Sequence, residues 1–289
     1  MYHLLGMDEN VRNIYKAVFP HIGQGREINT IDDLRLPYLE FLRKQQPQCP
    51  TNFDDNPFIT DIDIESQLAS SYSEGSLDDL QQSNLIGESY DNRNKKSRIS
   101  FSAIALNQLM EKDSNLAALF KLVIHSIFTK KYSSENGTRG THGGSSSGAI
   151  GAIWITVNEG INEIDLMELF LHELTHHLIF IDELNYPQFN YKEIKKKENY
   201  AYSAILNLSR PLDKVVHSIV VATEIVLARE HILSSSQERK IHPSTEKMKE
   251  DIYKSIESIE ALKNIESILK PRAFDLLDHC LQSLDGVQS

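Results

Sequence analysis

Residues Met167 to Ile181 set two histidines four positions apart inside an apolar run that contains no glycine or proline. Such a run predicts a helix, and on a helix residues i and i+4 are neighbours on one face, about 5–6 Å apart at Cβ. His172 and His176 then stand one above the other, where two imidazoles reach a single metal ion at about 2.0–2.1 Å per bond. Glu173 lies beside the first of them, in reach of a metal-bound water that it can hydrogen-bond or deprotonate. Leu169, Phe170, Leu171, Leu174, Leu178, Ile179, Phe180 and Ile181 surround these groups. Burying three ionisable side chains there without a partner is costly, and a metal removes the objection. His177 points about 100° away on the helical wheel and reads as packing or as a hydrogen-bond partner of a ligand.

The pair needs a third donor and open positions to be useful. The candidates are His217, Glu198, Glu224 and Glu183. His217 is favoured as an otherwise unexplained imidazole in the apolar stretch Val215–Arg229. Glu224, two turns on and on the same face, is then expected to hydrogen-bond a ligand or a substrate amide. Glu198 would complete the two-His-one-Glu set of many zinc peptidases, but it sits in a Lys/Glu-rich connector. Taken alone, these residues point first to zinc hydrolysis with Glu173 as general base; a non-catalytic peptide-binding protein with a structural metal is the alternative from another class.

Composition narrows the partners. The net charge is −11 without a long basic run, which argues against nucleic acid; Lys195, Lys196 and Lys197 read as a solvated turn. Two cysteines, Cys49 and Cys280, are too few for a disulfide scaffold and suggest a reducing compartment. Residues 1–8 lack the pattern of a signal peptide, and no apolar run is long enough for a membrane span. A cytoplasmic protein is expected.

Along the chain, helical spacing is expected at 8–20, stopped by Pro20, and after Thr30, with Asp32 and Asp33 in a first turn. Residues 45–98 are polar, acidic and broken by Pro, Ser, Gly and Asn, either a long loop or lid or a partly disordered insertion. Helices are expected at 99–112 and at 115–132, the latter ending in Lys130 and Lys131 and carrying His125 at the core edge. The Gly/Ser-rich segment 136–148 is a loop without the pattern of a phosphate cradle, with Arg139 and His142 as candidate contacts to the site. Residues 149–158 form the best strand in the chain. Ser209 is expected to cap a helix with Pro211 in its first turn, and two amphipathic helices follow Ser244. His231, His242 and His279 carry no pattern. The fold class expected is mainly α with a small β-sheet (α+β), a zincin-like core in which the HExxH helix packs on a second ligand-bearing helix. The expected division is a helical N-terminal region over 1–98 and a catalytic domain over 99–289.

Three spaced elements carry a family resemblance. Gly151-Ala152-Ile153-Trp154-Ile155, then Leu171-His172-Glu173-Leu174-Thr175-His176, then Ser203 with Arg210-Pro211-Leu212 and His217-Ser218 resemble the HExxH proteins found with ribosomally made, modified peptides. The likeness spans roughly residues 149 to 235. Members of that family look like iron(II)- and 2-oxoglutarate-dependent peptide β-hydroxylases. The resemblance implies that His172, His176 and His217 hold iron, that Arg210 pairs with a carboxylate of 2-oxoglutarate as a bidentate guanidinium, and that Ser203 lies at the cosubstrate. Glu173 would then handle a proton or support a ligand. The implied partners are a precursor peptide, 2-oxoglutarate and O2, with neither nucleic acid nor membrane. An all-imidazole set differs from the two-His-one-carboxylate triad usual for such oxygenases, and Ala204-Ile205-Leu206 stands where the family often carries aromatic and basic residues.

Overall fold

The computed structural model describes residues 1–23, 26–72, 85–132, 142–158, 160–233 and 239–286. It is mainly helical with a small mixed sheet, as the apolar periodicity predicts. Helix α1 spans Tyr2–Val18, with a non-helical residue at Gly6 (φ 78°, ψ 166°). Helix α2 covers Ile31–Gln45 and opens with a reciprocal cap: the Thr30 side chain accepts from the Asp33 N–H, and the Asp33 side chain accepts from the Thr30 N–H. Two orphan donors of the first turn are satisfied in this way.

The polar stretch 45–98 is more ordered than its composition suggests. It holds α3 (Ile62–Ser70), capped by Asp61, strand β1 (Ile86–Ser89) and the start of α4 (Asn92–Lys112), capped by Asp91; residues 73–84 lie outside the described residues. The helix expected at 99–112 therefore begins seven residues earlier, and the division expected between 98 and 99 falls inside it. One hydrophobic cluster runs from Met1 to Leu284 across that point.

The single helix expected over 115–132 is instead α5 (Ser114–Val123) followed by strand β2 (Ser126–Tyr132). Ile127, Phe128 and Thr129 are wholly buried there. They pair in parallel with β4 (Ala152–Ile155), in the register Phe128 opposite Trp154. Lys130 accordingly serves no helix terminus: with Lys95 it pairs with the buried Glu65 of α3. The sheet order is β1-β2-β4-β3, where β3 is Gly143–Gly144, antiparallel to β4.

The HExxH segment lies on α6 (Glu163–Asn185), whose first turn is closed by Asn162 and Asp165 in a second reciprocal cap. Being apolar on nearly every side, it must be covered on every side, and α1, α4 and α8 (Leu212–His231) do so. Helix α7 (Tyr191–Ile194) leads to the hairpin of β5 (Ala201–Tyr202) and β6 (Ser209–Arg210). Ser209 thus belongs to a strand, and Pro211 takes the N-cap position of α8. Helix α9 (Thr245–Glu260), the short α10 (Ile265–Ile268) and α11 (Pro271–Gly286) complete the chain, with α9 and α11 both packed on α8. No described helix is long and apolar enough to cross a membrane.

Candidate metal centre

Two successive turns of α6 bring His172 and His176 together, ring centroids 4.9 Å apart. Their Nε2 atoms are 3.2 Å apart. Two bonds of about 2.0–2.1 Å to one ion, at angles between octahedral and tetrahedral, separate the donor nitrogens by about 2.9–3.4 Å. The pair fits one ion. Both rings are partly exposed, whereas Glu173 between them is 2 % exposed. Desolvation holds both imidazoles well below the ordinary histidine range, so they are neutral donors, the form in which histidine binds metal.

His217, on the second turn of α8, comes to the same place from the other side. Its Nδ1 lies 3.2 Å from His176 Nδ1, and its ring packs against Phe180 at 5.2 Å between centroids. This is the far edge of the His176 ring from the Nε2 pair. The expected convergence of three nitrogens is therefore reached for two of them. Among the described residues no three His, Cys, Asp or Glu side chains are arranged to hold an ion as they stand, and His217 joins the pair only by turning its ring. The donor chemistry still fits a transition metal, since burial pushes His217 down to about 3 and keeps it neutral too.

Glu173 is held by a directed chain. Ser145 Oγ donates to its Oε2 at 2.6 Å, and the same hydroxyl lies 3.1 Å from His177 Nε2. The Gly151 N–H, which can only donate, points at His177 Nδ1 at 3.2 Å. His177 Nδ1 is therefore bare, Nε2 carries the proton toward Ser145, and the hydroxyl proton is left for Glu173. Burial nonetheless raises the Glu173 carboxyl to about 8, against the opposing pull of the Ser145 bond. Gly143 has no room for a side chain: a Cβ there would lie 2.9 Å from Trp154 O and 3.4 Å from Glu173 Oε1. The backbone of β3 thus lies directly on the acid.

On the N-terminal side of α8, the β5–β6 hairpin sets Ala201 opposite Arg210, so by alternation Ser203 and Arg210 share a face. Ser203 is fully buried, and its hydroxyl has no hydrogen-bond partner among the described residues. The Ala204 N–H donates to Ser218 Oγ at 3.1 Å, tying the hairpin to the turn of α8 that bears His217. The charge of Arg210 is close enough to depress the basicity of His217.

Other expected positions fall elsewhere. Glu224 supports neither a ligand nor a substrate: its carboxylate accepts from the Met1 ammonium at 2.5 Å and from the His3 and Leu4 N–H groups at 2.5 and 3.2 Å. Seven residues along a helix is about 10.5 Å of rise, which carries Glu224 past the centre to the start of α1. Glu183 accepts from Tyr191 Oη at 2.5 Å, and Glu198 is exposed on a short turn, Lys197–Asn199. His125 is wholly buried, its Nδ1 2.8 Å from Ser126 Oγ. His142 has a buried Nδ1 that lacks a hydrogen-bond partner among the described residues, and Arg139 lies outside the described residues.

Four residues with no earlier assignment join the centre: Ser145, Glu168, Arg229 and His242. His242 Nε2 lies 3.0 Å from His172 Nδ1, and His242 Nδ1 lies 3.2 Å from Glu168 Oε2. Against a burial that would raise it, hydrogen bonds from Arg229 and His242 pull the Glu168 carboxyl down to about 2. Glu168 is four residues before His172, the one sequence signal that could have found it; the approach of residue 242 has none.

These shifts set the pH dependence of the metal-free protein. Desolvation pushes His125, His177 and His217 down to about 3, below an unfolded value near 6.5. Unfolding between these values binds protons, so stability climbs with pH from about 3 to 6.5. Glu173 has the opposite sign: the folded state keeps a proton that the unfolded chain loses above about 4.5, so stability falls until about pH 8. The depressed imidazoles, His172 and His176 among them, outweigh the raised carboxyls of Glu173 and Glu183 below 6.5, and the urea midpoint is expected to peak near that pH. Glu173→Gln is expected to flatten the alkaline limb; a midpoint that keeps rising to pH 8 contradicts the assignment.

No protein-family model and no curated protein matches the sequence.

Proposed function

We propose that this chain is an iron(II)- and 2-oxoglutarate-dependent oxygenase that hydroxylates the β-carbon of a side chain in a ribosomally made precursor peptide. The observation that carries the reading is the meeting of three elements: the His172/His176 Nε2 pair 3.2 Å apart, the α8 imidazole of His217 beside it, and the Ser203–Arg210 hairpin anchored to that helix. Bound iron with 2-oxoglutarate and O2 supplies the oxidant: one oxygen atom enters the C–H bond, the other leaves in succinate, and CO2 is released.

The chain's own residues bind and orient. His172, His176 and His217 are neutral donors for the ion. Arg210 would pair with the far carboxylate of 2-oxoglutarate, a role suited to a guanidinium, and the Ser203 hydroxyl on the same face would donate to it. Ser145 keeps Glu173 turned to one side, where it takes up or returns a proton. β3, one of the two edge strands of the described sheet, offers an edge to which an extended peptide would add by backbone pairing. Two buried free cysteines fit a reducing cytoplasm, which also holds precursor peptides and 2-oxoglutarate.

Purified protein given iron(II), 2-oxoglutarate, O2 and a candidate peptide is expected to release succinate and raise the peptide mass by one oxygen. Arg210→Ala is expected to raise the KM for 2-oxoglutarate about 10–100-fold, the loss of a charge-assisted pair worth about 1.5–3 kcal/mol, and to leave peptide KM unchanged. An unchanged cosubstrate KM removes Arg210 from this role. The second reading, a zinc metallopeptidase, is favoured by Glu173 standing beside the histidine pair with a carboxyl raised to about 8, suited to a general base. Peptide cleavage with zinc and no succinate with iron would decide for it.

A further inference from the structure

We propose that Glu183 and Asp213 form a subsite for a basic side chain of the peptide, the ammonium of a lysine or the guanidinium of an arginine, beside the candidate centre. The proposal rests on the reading of a peptide substrate, and it is built from groups to which that reading gives no part.

Helices α6 and α8 run antiparallel: Glu168 near the start of one meets Arg229 near the end of the other, and His176 meets His217 further along. The same pairing, carried on toward the end of α6 and the start of α8, sets Glu183 opposite Asp213. Glu183 is two turns beyond His176 on one face of α6, and Asp213 is one turn before His217 on one face of α8. Their charges meet. Burial, and after it the charge of Asp213, raise the Glu183 carboxyl against the opposing Tyr191 bond. Asp213 is only 5 % exposed. Lys214 Nζ stands 3.1 Å from its Oδ2, whereas Oδ1 is buried with no hydrogen-bond partner among the described residues. A buried carboxylate oxygen left bare is costly, and a donor on a bound molecule removes that cost.

Aromatic rings line the same place. Phe180, one turn before Glu183, packs on the His217 ring at 5.2 Å between centroids. Phe189 lies 6.5 Å from that ring and meets Tyr191 edge-on at 6.0 Å, and Tyr191 Oη donates to Glu183 Oε1 at 2.5 Å. Carboxylates beside aromatic rings suit an organic cation: the oxygens accept charge-assisted hydrogen bonds, and the ring faces attract an ammonium or a guanidinium. A hard divalent ion asks instead for about six to eight oxygens, and among the described residues no three His, Cys, Asp or Glu side chains are arranged to hold one. Lys214 brings one positive charge to two carboxyls, and a guest cation balances the second. Tyr191 is 39 % exposed, so the subsite is reached from solvent on that side. His217 borders the same rings, and a peptide anchored there by its cation passes the imidazole row.

Magnetic resonance titration of the metal-free protein with acetyl-Ala-Lys-Ala-amide, its arginine analogue and its norleucine analogue reads the subsite through the ring signals of Tyr191, identified by their loss in Tyr191→Phe. The lysine or the arginine peptide is expected to bind about 10–100-fold more tightly than the norleucine peptide, the range of a charge-assisted hydrogen bond, and to shift those signals. Asp213→Asn and Glu183→Gln, which keep the size of each side chain and remove its charge, are each expected to abolish most of that preference. Equal binding of the three peptides overturns the subsite, and so does a preference for the cation that both variants retain. If Asp213→Asn does not fold, a preference retained in Glu183→Gln does the same. Succinate release is measured separately on iron-loaded protein. A cation preference that the variants lose, together with no succinate from any peptide, overturns the oxygenase reading and leaves the subsite standing.

Discussion

His176→Ala is expected to abolish stoichiometric binding of a divalent ion, and all metal-dependent turnover with it, while the protein stays folded. His176 is the middle member of the imidazole row: Nε2 faces His172 at 3.2 Å and Nδ1 faces His217 at 3.2 Å. Removing it separates the two arms. The loss should exceed the roughly 10–100-fold that an outer hydrogen-bond partner costs, because His176 Nε2 is the nitrogen that faces His172 Nε2 among the described residues. The fold should survive because the ring is partly exposed, so truncation opens a gap to solvent instead of an internal void. His217→Ala then assigns the third imidazole. If its ring turns to meet the ion, its removal costs as much as that of His176; if it only accepts the His176 Nδ1–H, the loss stays within the range of an outer partner. Calorimetric titration with iron(II) under argon measures both, and wild-type affinity in His176→Ala would end the metal assignment.

The halves of this centre were unequally legible. The HExxH pair is a local signal, two residues whose spacing and helical period are written in five letters, and α6 delivers it as read. The buried strand Ala152–Ile155 and the Thr30 cap are local in the same sense. What the sequence hid depends on distant chain segments. Leu122, Val123, Ile127 and Phe128 continue a helical period, and short apolar runs do not separate helix from strand; pairing with β4 decides the matter. Glu224 shares a helical face with His217, but a face says nothing about height along the axis, and the start of α1 claims the carboxylate. His242 and Ser145 reach the centre from 70 and 28 residues away along the chain. Their only trace in sequence is two carboxylates, Glu168 and Glu173, in a helix otherwise too apolar to hold them without partners.

Gly151→Ala is expected to be strongly destabilising for a change of a single methyl group. Gly151 has φ +86°, a conformation that costs an L-residue about 1–2 kcal/mol. A Cβ there would stand 2.5 Å from His125 Cδ2 and 2.9 Å from Val123 O, and forcing a methyl into a packed site adds about 1–3 kcal/mol. Neither neighbour can retreat cheaply, because the Gly151 carbonyl accepts from the His125 and Ser126 N–H groups at 2.8 and 3.1 Å and so locks the entry to β2. The sum, about 2–5 kcal/mol, corresponds to a fall in Tm of roughly 5–15 °C for a chain of this size. The only tryptophan, Trp154, is wholly buried on the adjacent strand, so its emission reports the transition. A second effect separates this site from an ordinary core position. The Gly151 N–H obliges His177 to present its proton to Ser145, and Ser145 in turn holds Glu173. Displacing that N–H should lower turnover even at temperatures where the variant is fully folded. Ser145→Ala, which removes only the last link, should reproduce the loss of turnover without the loss of Tm. A Gly151→Ala protein that melts within about 2 °C of wild type would show that the turn relaxes around the methyl, and the rigid coupling of β4 to the acid would have to be given up.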